Sequence, residues 1–151
     1  MCDFADLHCL YIERIRRPYR GRFATIATAI PSSSQTGRCS HCGGQLRVHG
    51  KKNTTYQDVP DQGGTVAIVV ERLRYRCALC GTTSLQPVPE MDHKFRMTER
   101  LIDRIRMEAV QRPFSTIAKE VGIHEKTVRR IVRDRIPALT GSRSRGRHVV
   151  D

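Results

Sequence analysis

From Ser115 to Ile136 the apolar residues fall twice at helical spacing, with one glycine between the two runs. Ile117, Ala118 and Val121 form the first stripe, and Val128, Ile131 and Val132 form the second. Ser115 is placed to cap the first helix with its hydroxyl. Gly122 is placed to end it where a positive φ is needed, and Ile123 fills the corner. Two short helices around a tight, glycine-bearing turn are the pattern of a helix-turn-helix. An earlier run predicts a helix over residues 98–110, capped by Thr98, with Leu101, Ile102, Ile105 and Ala109 inward. Together these make a three-helix unit.

The pattern changes upstream. Residues 23–30, Phe-Ala-Thr-Ile-Ala-Thr-Ala-Ile, are rich in β-branched side chains and bounded by Gly21 and Pro31, which predicts a strand. Residues 45–49 and 55–59 read as short strands, and Asp61-Gln-Gly-Gly64 as a turn. Residues 65–76 alternate most clearly. Val69, Leu73, Tyr75 and Cys77 share one face, and Arg72, Arg74 and Arg76 share the other. Arginines two residues apart recur about every 6.6 Å, close to the step between phosphates along one DNA strand. The first 22 residues predict a basic helix or extension, with Leu7, Leu10, Tyr11 and Ile15 at helical spacing between Asp3 and Pro18. Gln86-Pro-Val-Pro-Glu90 predicts a stiff connector between a β-rich part and the helices.

Charge sharpens this picture. The chain carries 27 basic and 15 acidic residues for a net charge of +12, and the pI is near 10.1. That balance points to a polyanionic partner, of which nucleic acid is the commonest. Aromatics make up 5 % and tryptophan is absent, which disfavours readers of single strands that stack bases on exposed rings. No apolar run has the length of a membrane span, and the first twenty residues lack a signal-peptide core. The expected setting is the cytoplasm, on the nucleoid.

Six cysteines complete the inventory. Cys39-Ser-His-Cys42 and Cys77-Ala-Leu-Cys80 are each followed by glycine. Two thiolates separated by two residues wrap one side of a metal ion, and the chain must then turn sharply away. Two such knuckles predict one tetrahedral zinc held by Cys39, Cys42, Cys77 and Cys80. The 34 residues between them suit the hairpin of a zinc ribbon. Four thiolates leave no open coordination position, so this zinc is structural. His41, inside the first knuckle, is an alternative ligand but is expected to face solvent. Cys2 and Cys9 are expected to be ordinary thiols.

The expected architecture is therefore α+β. Residues 1–22 form an N-terminal extension, 23–90 a zinc ribbon, 91–137 a helix-turn-helix domain, and 138–151 a basic, disordered tail. On the last helix His124, Lys126, Thr127, Arg129, Arg130 and Arg133 are left to face a major groove. Arg72, Arg74 and Arg76 are candidates to hold phosphates.

The order of these parts resembles the N-terminal region of bacterial insertion-sequence transposases of the ISL-three family. Tyr56-Gln-Asp-Val-Pro60, Arg72-Leu-Arg-Tyr-Arg-Cys77 and the block 117–131 carry the resemblance, which covers residues 23–136. It implies a module that binds the terminal inverted repeats of a mobile element, while a separate downstream nuclease domain with an acidic triad cuts and joins the DNA. The sequence given ends about fifteen residues after the helix-turn-helix, and the expectation is a protein that binds duplex DNA without cutting it. Such a chain is a truncated transposase, an isolated binding module or a small regulator. It could pair as a homodimer or act alongside a full-length transposase. The rival readings are a zinc-ribbon adaptor that binds an acidic protein partner or transcription machinery, and an enzyme, either a dithiol oxidoreductase or a nuclease.

Overall fold

A computed structural model describes residues 3–32 and 37–134. The chain runs β1 (Leu10–Arg16), β2 (Thr25–Pro31), β3 (Leu46–Asp61), β4 (Gly64–Cys77), β5 (Thr83–Leu85), β6 (Met91–Asp92), β7 (Met97–Thr98), α1 (Glu99–Glu108), α2 (Phe114–Val121) and α3 (Glu125–Asp134). The α+β expectation holds: one mixed sheet is followed by three helices. The basic tail, Cys2 and part of the Ser-rich loop lie outside the described residues.

The sheet is built around β4. Its strand order is β1-β2-β4-β3-β7-β6, with β5 added beside the far end of β4. β2 lies parallel to β4 over Val66 to Val70, and β3 lies antiparallel to β4 along nearly its whole length. The β3–β4 turn places Gln62 at φ +49° and Gly63 at φ +75°. Two successive positive φ values give the twist that suits a tight hairpin.

Two apolar cores lie at different places on this sheet. Ala27, Ala29, Tyr56, Val66, Ile68 and Val70 face a layer made by Phe4, Leu7, Val88 and Met91. Met97, Leu101, Ile102, Ile105, Ile117, Ala118, Val121, Val128 and Ile131 form the second core, which takes in Val59 from β3. All three predicted apolar stripes of the helices are in it.

Several local expectations change. Residues 10–16 form a strand, not part of a helix. Of the four residues at helical spacing, Leu7 and Leu10 are buried, but Tyr11 is 62 % and Ile15 52 % exposed. They share no covered face, and the open edge of β2 supplies backbone partners instead. The two short strands expected at 45–49 and 55–59 are one strand, because a bulge between Val48 and Gly50 carries β3 through the break. The proline-rich connector does not stand off as a spacer. Val88 is 2 % and Gln86 6 % exposed, so this segment folds back over the sheet.

The helix caps divide. Thr98 caps α1, and its Oγ1 accepts from the Leu101 amide at 3.3 Å. Ser115 does not cap α2. That helix starts at Pro113, whose carbonyl accepts from the amides of Thr116 (3.1 Å) and Ile117 (3.2 Å), and no side chain takes part. Ser115 lies exposed inside the first turn. Ser115→Ala should therefore shift urea-unfolding stability by less than about 0.5 kcal/mol. A loss of about 1 kcal/mol or more would restore the hydroxyl as a cap.

Candidate metal centre and nucleic-acid interface

The knuckle at Cys39 and the knuckle at Cys77 use the same backbone pattern. Cys39 N donates to the carbonyl of Gly44 (2.7 Å), and Gly43 N donates to the carbonyl of Cys39 (2.9 Å). Five and four residues after Cys77, Thr82 and Gly81 repeat those bonds at 2.9 and 3.2 Å. In both turns the amide two residues on points at the first sulfur: His41 N lies 3.4 Å from Cys39 Sγ, and Leu79 N lies 3.4 Å from Cys77 Sγ. The glycines that close the turns have φ +73° (Gly43) and +72° (Gly81). A Cβ at Gly44 would sit 3.0 Å from Cys77 Sγ and 2.9 Å from Leu79 Cδ1. A second glycine after the first knuckle lets the two turns close on each other.

The ligand atoms of Cys39, Cys42, Cys77 and Cys80 lie within 4.8 Å of one another. Cys39 Sγ is 3.8 Å from Cys80 Sγ, and Cys42 Sγ is 3.4 Å from Cys77 Sγ. Tetrahedral zinc with bonds of about 2.3 Å holds its sulfurs about 3.8 Å apart, so the arrangement fits one zinc ion. The thiolate is the ligating form. Thr82, whose hydroxyl oxygen is 3.1 Å from Cys80 Sγ, holds that thiol down to about 6. The amides of Cys80 and Leu79 lower Cys77. His41 is exposed and stands outside the four-ligand group. Cys9 is buried, and burial pushes its thiol up to about 11, which suits an inert core thiol.

The helices are fixed to the sheet by consecutive residues of the Tyr-Gln-Asp-Val-Pro stretch. Tyr56 is fully buried, and its hydroxyl meets His93 Nδ1 at 2.9 Å. The Gln57 side-chain amide donates to the carbonyl of Val121, at the end of α2. Asp58 is 1 % exposed. It accepts from Thr98 Oγ1 (2.8 Å) and from Arg100 Nε (2.8 Å) and Nη2. Gly122, at φ +77°, ends α2, and a Cβ there would come within 2.8 Å of Thr65 Cγ2. Composition alone did not single out Gln57 and Asp58. A carboxylate in the middle of a strand was the available signal.

With Val128 and Ile131 fully buried, α3 turns its polar side outward. His124, Lys126, Arg129, Arg130 and Arg133 are exposed, and Thr127 is half-buried. Arg129 pairs with Glu125 (2.6 Å), Arg133 with Asp134 (3.2 Å), and Arg130 lies over the Phe95 ring at 5.6 Å. Lys126 enters no ion pair among the described residues. Exposed pairs of this kind contribute between about 0 and 1 kcal/mol, so a phosphate can displace them.

The arginine row on β4 is corrected by one residue. Arg72 is 7 % exposed. Its Nε donates to the carbonyl of Gln86 at 2.8 Å, and Nη1 lies 3.4 Å from the Tyr56 hydroxyl. The segment after β5 closes over the strand at that point, so Arg72 is a core residue rather than a phosphate contact. Arg74 and Arg76 remain exposed. The register sets Arg47 opposite Arg76, and Lys52 opposite Arg72 on the same face. Like charges directly opposite each other are destabilising. Arg47, Lys52, Arg74 and Arg76 form no ion pair among the described residues. The sequence reading passed over Arg47 and Lys52, because only the pairing register places them beside Arg74 and Arg76.

No helix among the described residues is long and apolar enough to cross a membrane. Residues 35–80 match the zinc-finger of transposase IS204/IS1001/IS1096/IS1165. Residues 86–136 match the helix-turn-helix domain of transposase family ISL3. No curated protein and no solved structure matches the chain.

Proposed function

With its zinc ribbon and its helix-turn-helix both belonging to the ISL3 transposase family, we propose that this chain binds duplex DNA with sequence preference, as a transposon-end recognition module or a regulator of transposition. The observation that carries the reading is α3, a helix with one side locked in the core and cations along the other. His124, Lys126, Thr127, Arg129, Arg130 and Arg133 would read or flank a major groove. Arg74 and Arg76, with Arg47 and Lys52 across the hairpin, would hold phosphates. Zinc keeps the ribbon in shape and takes no part in chemistry, because its four positions are filled by sulfur. The proposal includes no cutting by this chain.

The test is selection of bound duplexes from a random library, with recovered DNA checked for breaks. Enrichment of one motif, recovered intact, is the expected result. Arg129→Ala and Arg130→Ala should each weaken binding to that motif by about 1–3 kcal/mol, with the melting temperature nearly unchanged. An equal fall in stability would make both residues structural.

A second reading has one observation in its favour. Leu79 is 78 % and Val48 60 % exposed beside the second knuckle, an apolar spot that suits a protein partner. Failure to bind any member of a randomised duplex pool would favour that adaptor role. Pairing with itself or with a full-length transposase belongs to the same proposal, and sizing the complex on its selected DNA tests it.

A further inference from the structure

A cleft of about 720 Å³ lies between the start of β2 and the start of α3. It is lined by Arg22, Phe23, Phe95, Arg96, His124 and Thr127, among others, and none of its lining residues is acidic. Both arginines are exposed, and neither forms an ion pair among the described residues. Their positions are built with care. The Arg22 carbonyl accepts from Thr65 Oγ1 at 2.9 Å, and the next-but-one amide, Ala24 N, donates to the carbonyl of Thr65 at 2.9 Å. The Arg22 guanidinium lies 5.0 Å from the Phe23 ring centre, a contact that restrains it without neutralising it. Arg96 sits at φ +55°, in the left-handed region that side-chain-bearing residues seldom occupy. Its carbonyl is held there by the Gln57 amide at 2.8 Å. Opposite them, Gly122 brings the helix-turn-helix corner against Thr65. Two cations from separate elements thus face a cavity that opens beside the reading helix.

We propose that this cleft is a second DNA contact, in which Arg22 and Arg96 clamp the sugar-phosphate backbone next to the bases that α3 reads. The proposal rests on the duplex-binding reading above and adds a site to it. Its chemistry is that of a polyanion: two guanidiniums and the Thr127 hydroxyl suit phosphate oxygens. The ring of Phe23, between the arginine and the cavity wall, suits the adjoining sugar. Such contacts carry register and affinity rather than sequence.

The salt dependence of duplex binding tests this, measured by fluorescence anisotropy on the zinc-loaded full chain with random-sequence duplex and with a selected duplex. Arg22→Ala and Arg96→Gly are the variants; glycine at 96 accepts the positive φ, so fold and stability are retained. Each should weaken both duplexes by the same factor and lower the slope of log affinity against log salt by about 0.9, and the double variant by about 1.8. Lys126→Ala on α3 serves as the comparison, expected to lower affinity more for the selected duplex than for the random one. Unchanged slopes in the Arg22 and Arg96 variants, with the unaltered chain binding normally, would overturn the clamp and leave the duplex-binding reading standing. A loss of affinity accompanied by a lower melting temperature and an unchanged slope would make the residues structural and also overturn it. Should the unaltered chain fail to bind duplex at any salt, both readings fall together. If inorganic phosphate at its thermal-shift midpoint stabilises the chain as strongly as duplex does, the cleft is a small-anion site and the clamp is wrong.

Discussion

Cys39→Ser should release zinc and unravel the far end of the β3–β4 hairpin while the two apolar cores remain. The tip has little else to hold it. Leu79 and Val48 are mostly exposed, and no residue of the first knuckle belongs to either core. What joins the two knuckles besides sulfur is a few backbone bonds, such as Leu46 N to Gly37 O at 2.9 Å and Ala78 N to Gln45 O at 3.0 Å. Structural zinc in small domains binds with an apparent free energy of roughly 10–16 kcal/mol at neutral pH, and this energy is available only to the folded form. Removing one thiolate of four takes away the closed tetrahedral shell, and a serine hydroxyl does not replace it. Hydrogen exchange should show residues 37–50 and 73–83 losing protection on chelation or in the variant. Amides of α1 and α3 should stay protected. A tip that keeps its protection without metal would refute the structural role of zinc, and Cys80→Ser should behave alike.

How much of this was visible in the chain itself follows a physical line. The zinc ligands were legible because two local knuckles, each with its glycine, need nothing distant to be recognised. The apolar stripes of α1, α2 and α3 were legible for the same reason, as was the left-handed Gly122. What went unseen depends on partners far along the chain. Residues 10–16 become a strand because β2 offers an edge, and no local pattern reports that. Arg72 looked like its neighbours Arg74 and Arg76, since alternation tells which side a residue faces and not whether a later segment covers that side. Gln86, fourteen residues on, supplies the cover. Ser115 was chosen as a cap on residue type alone, where the proline two positions earlier already sets the helix start.

Those distant partners also explain why the ribbon and the helices act together. Zinc orders one end of the hairpin, and the other end of β3 holds the helices through residues 56–58. The hairpin is therefore a lever arm, with free cations at the tip and the reading helix at the base. Loss of either anchorage should reduce DNA affinity by a different route. Loss of zinc removes the contacts of Arg47, Arg74 and Arg76, while a broken base frees α3 from its fixed attitude.

The base is where the second large effect is expected. Asp58 is the carboxylate that Thr98 and Arg100 share, 40 and 42 residues further on. Its side chain is 2 % exposed, whereas that of Arg100 is 28 % exposed. The asymmetry decides which substitution is worse. Asp58→Ala leaves a guanidinium that still reaches water and keeps its bond to the Asp3 carbonyl at 2.9 Å, so the expected loss is about 2–3 kcal/mol, below the usual range for a broken buried pair. Arg100→Met leaves a carboxylate sealed from solvent with only the Thr98 hydroxyl as partner, and the loss should reach about 4 kcal/mol. The double variant should be milder than the sum of the two by about 1–3 kcal/mol, since residues in one network do not act independently. Urea unfolding of the three variants measures all of this. Additive losses, or an Asp58→Ala change under about 0.5 kcal/mol, would mean that the sheet and the helices are held together by apolar contact alone.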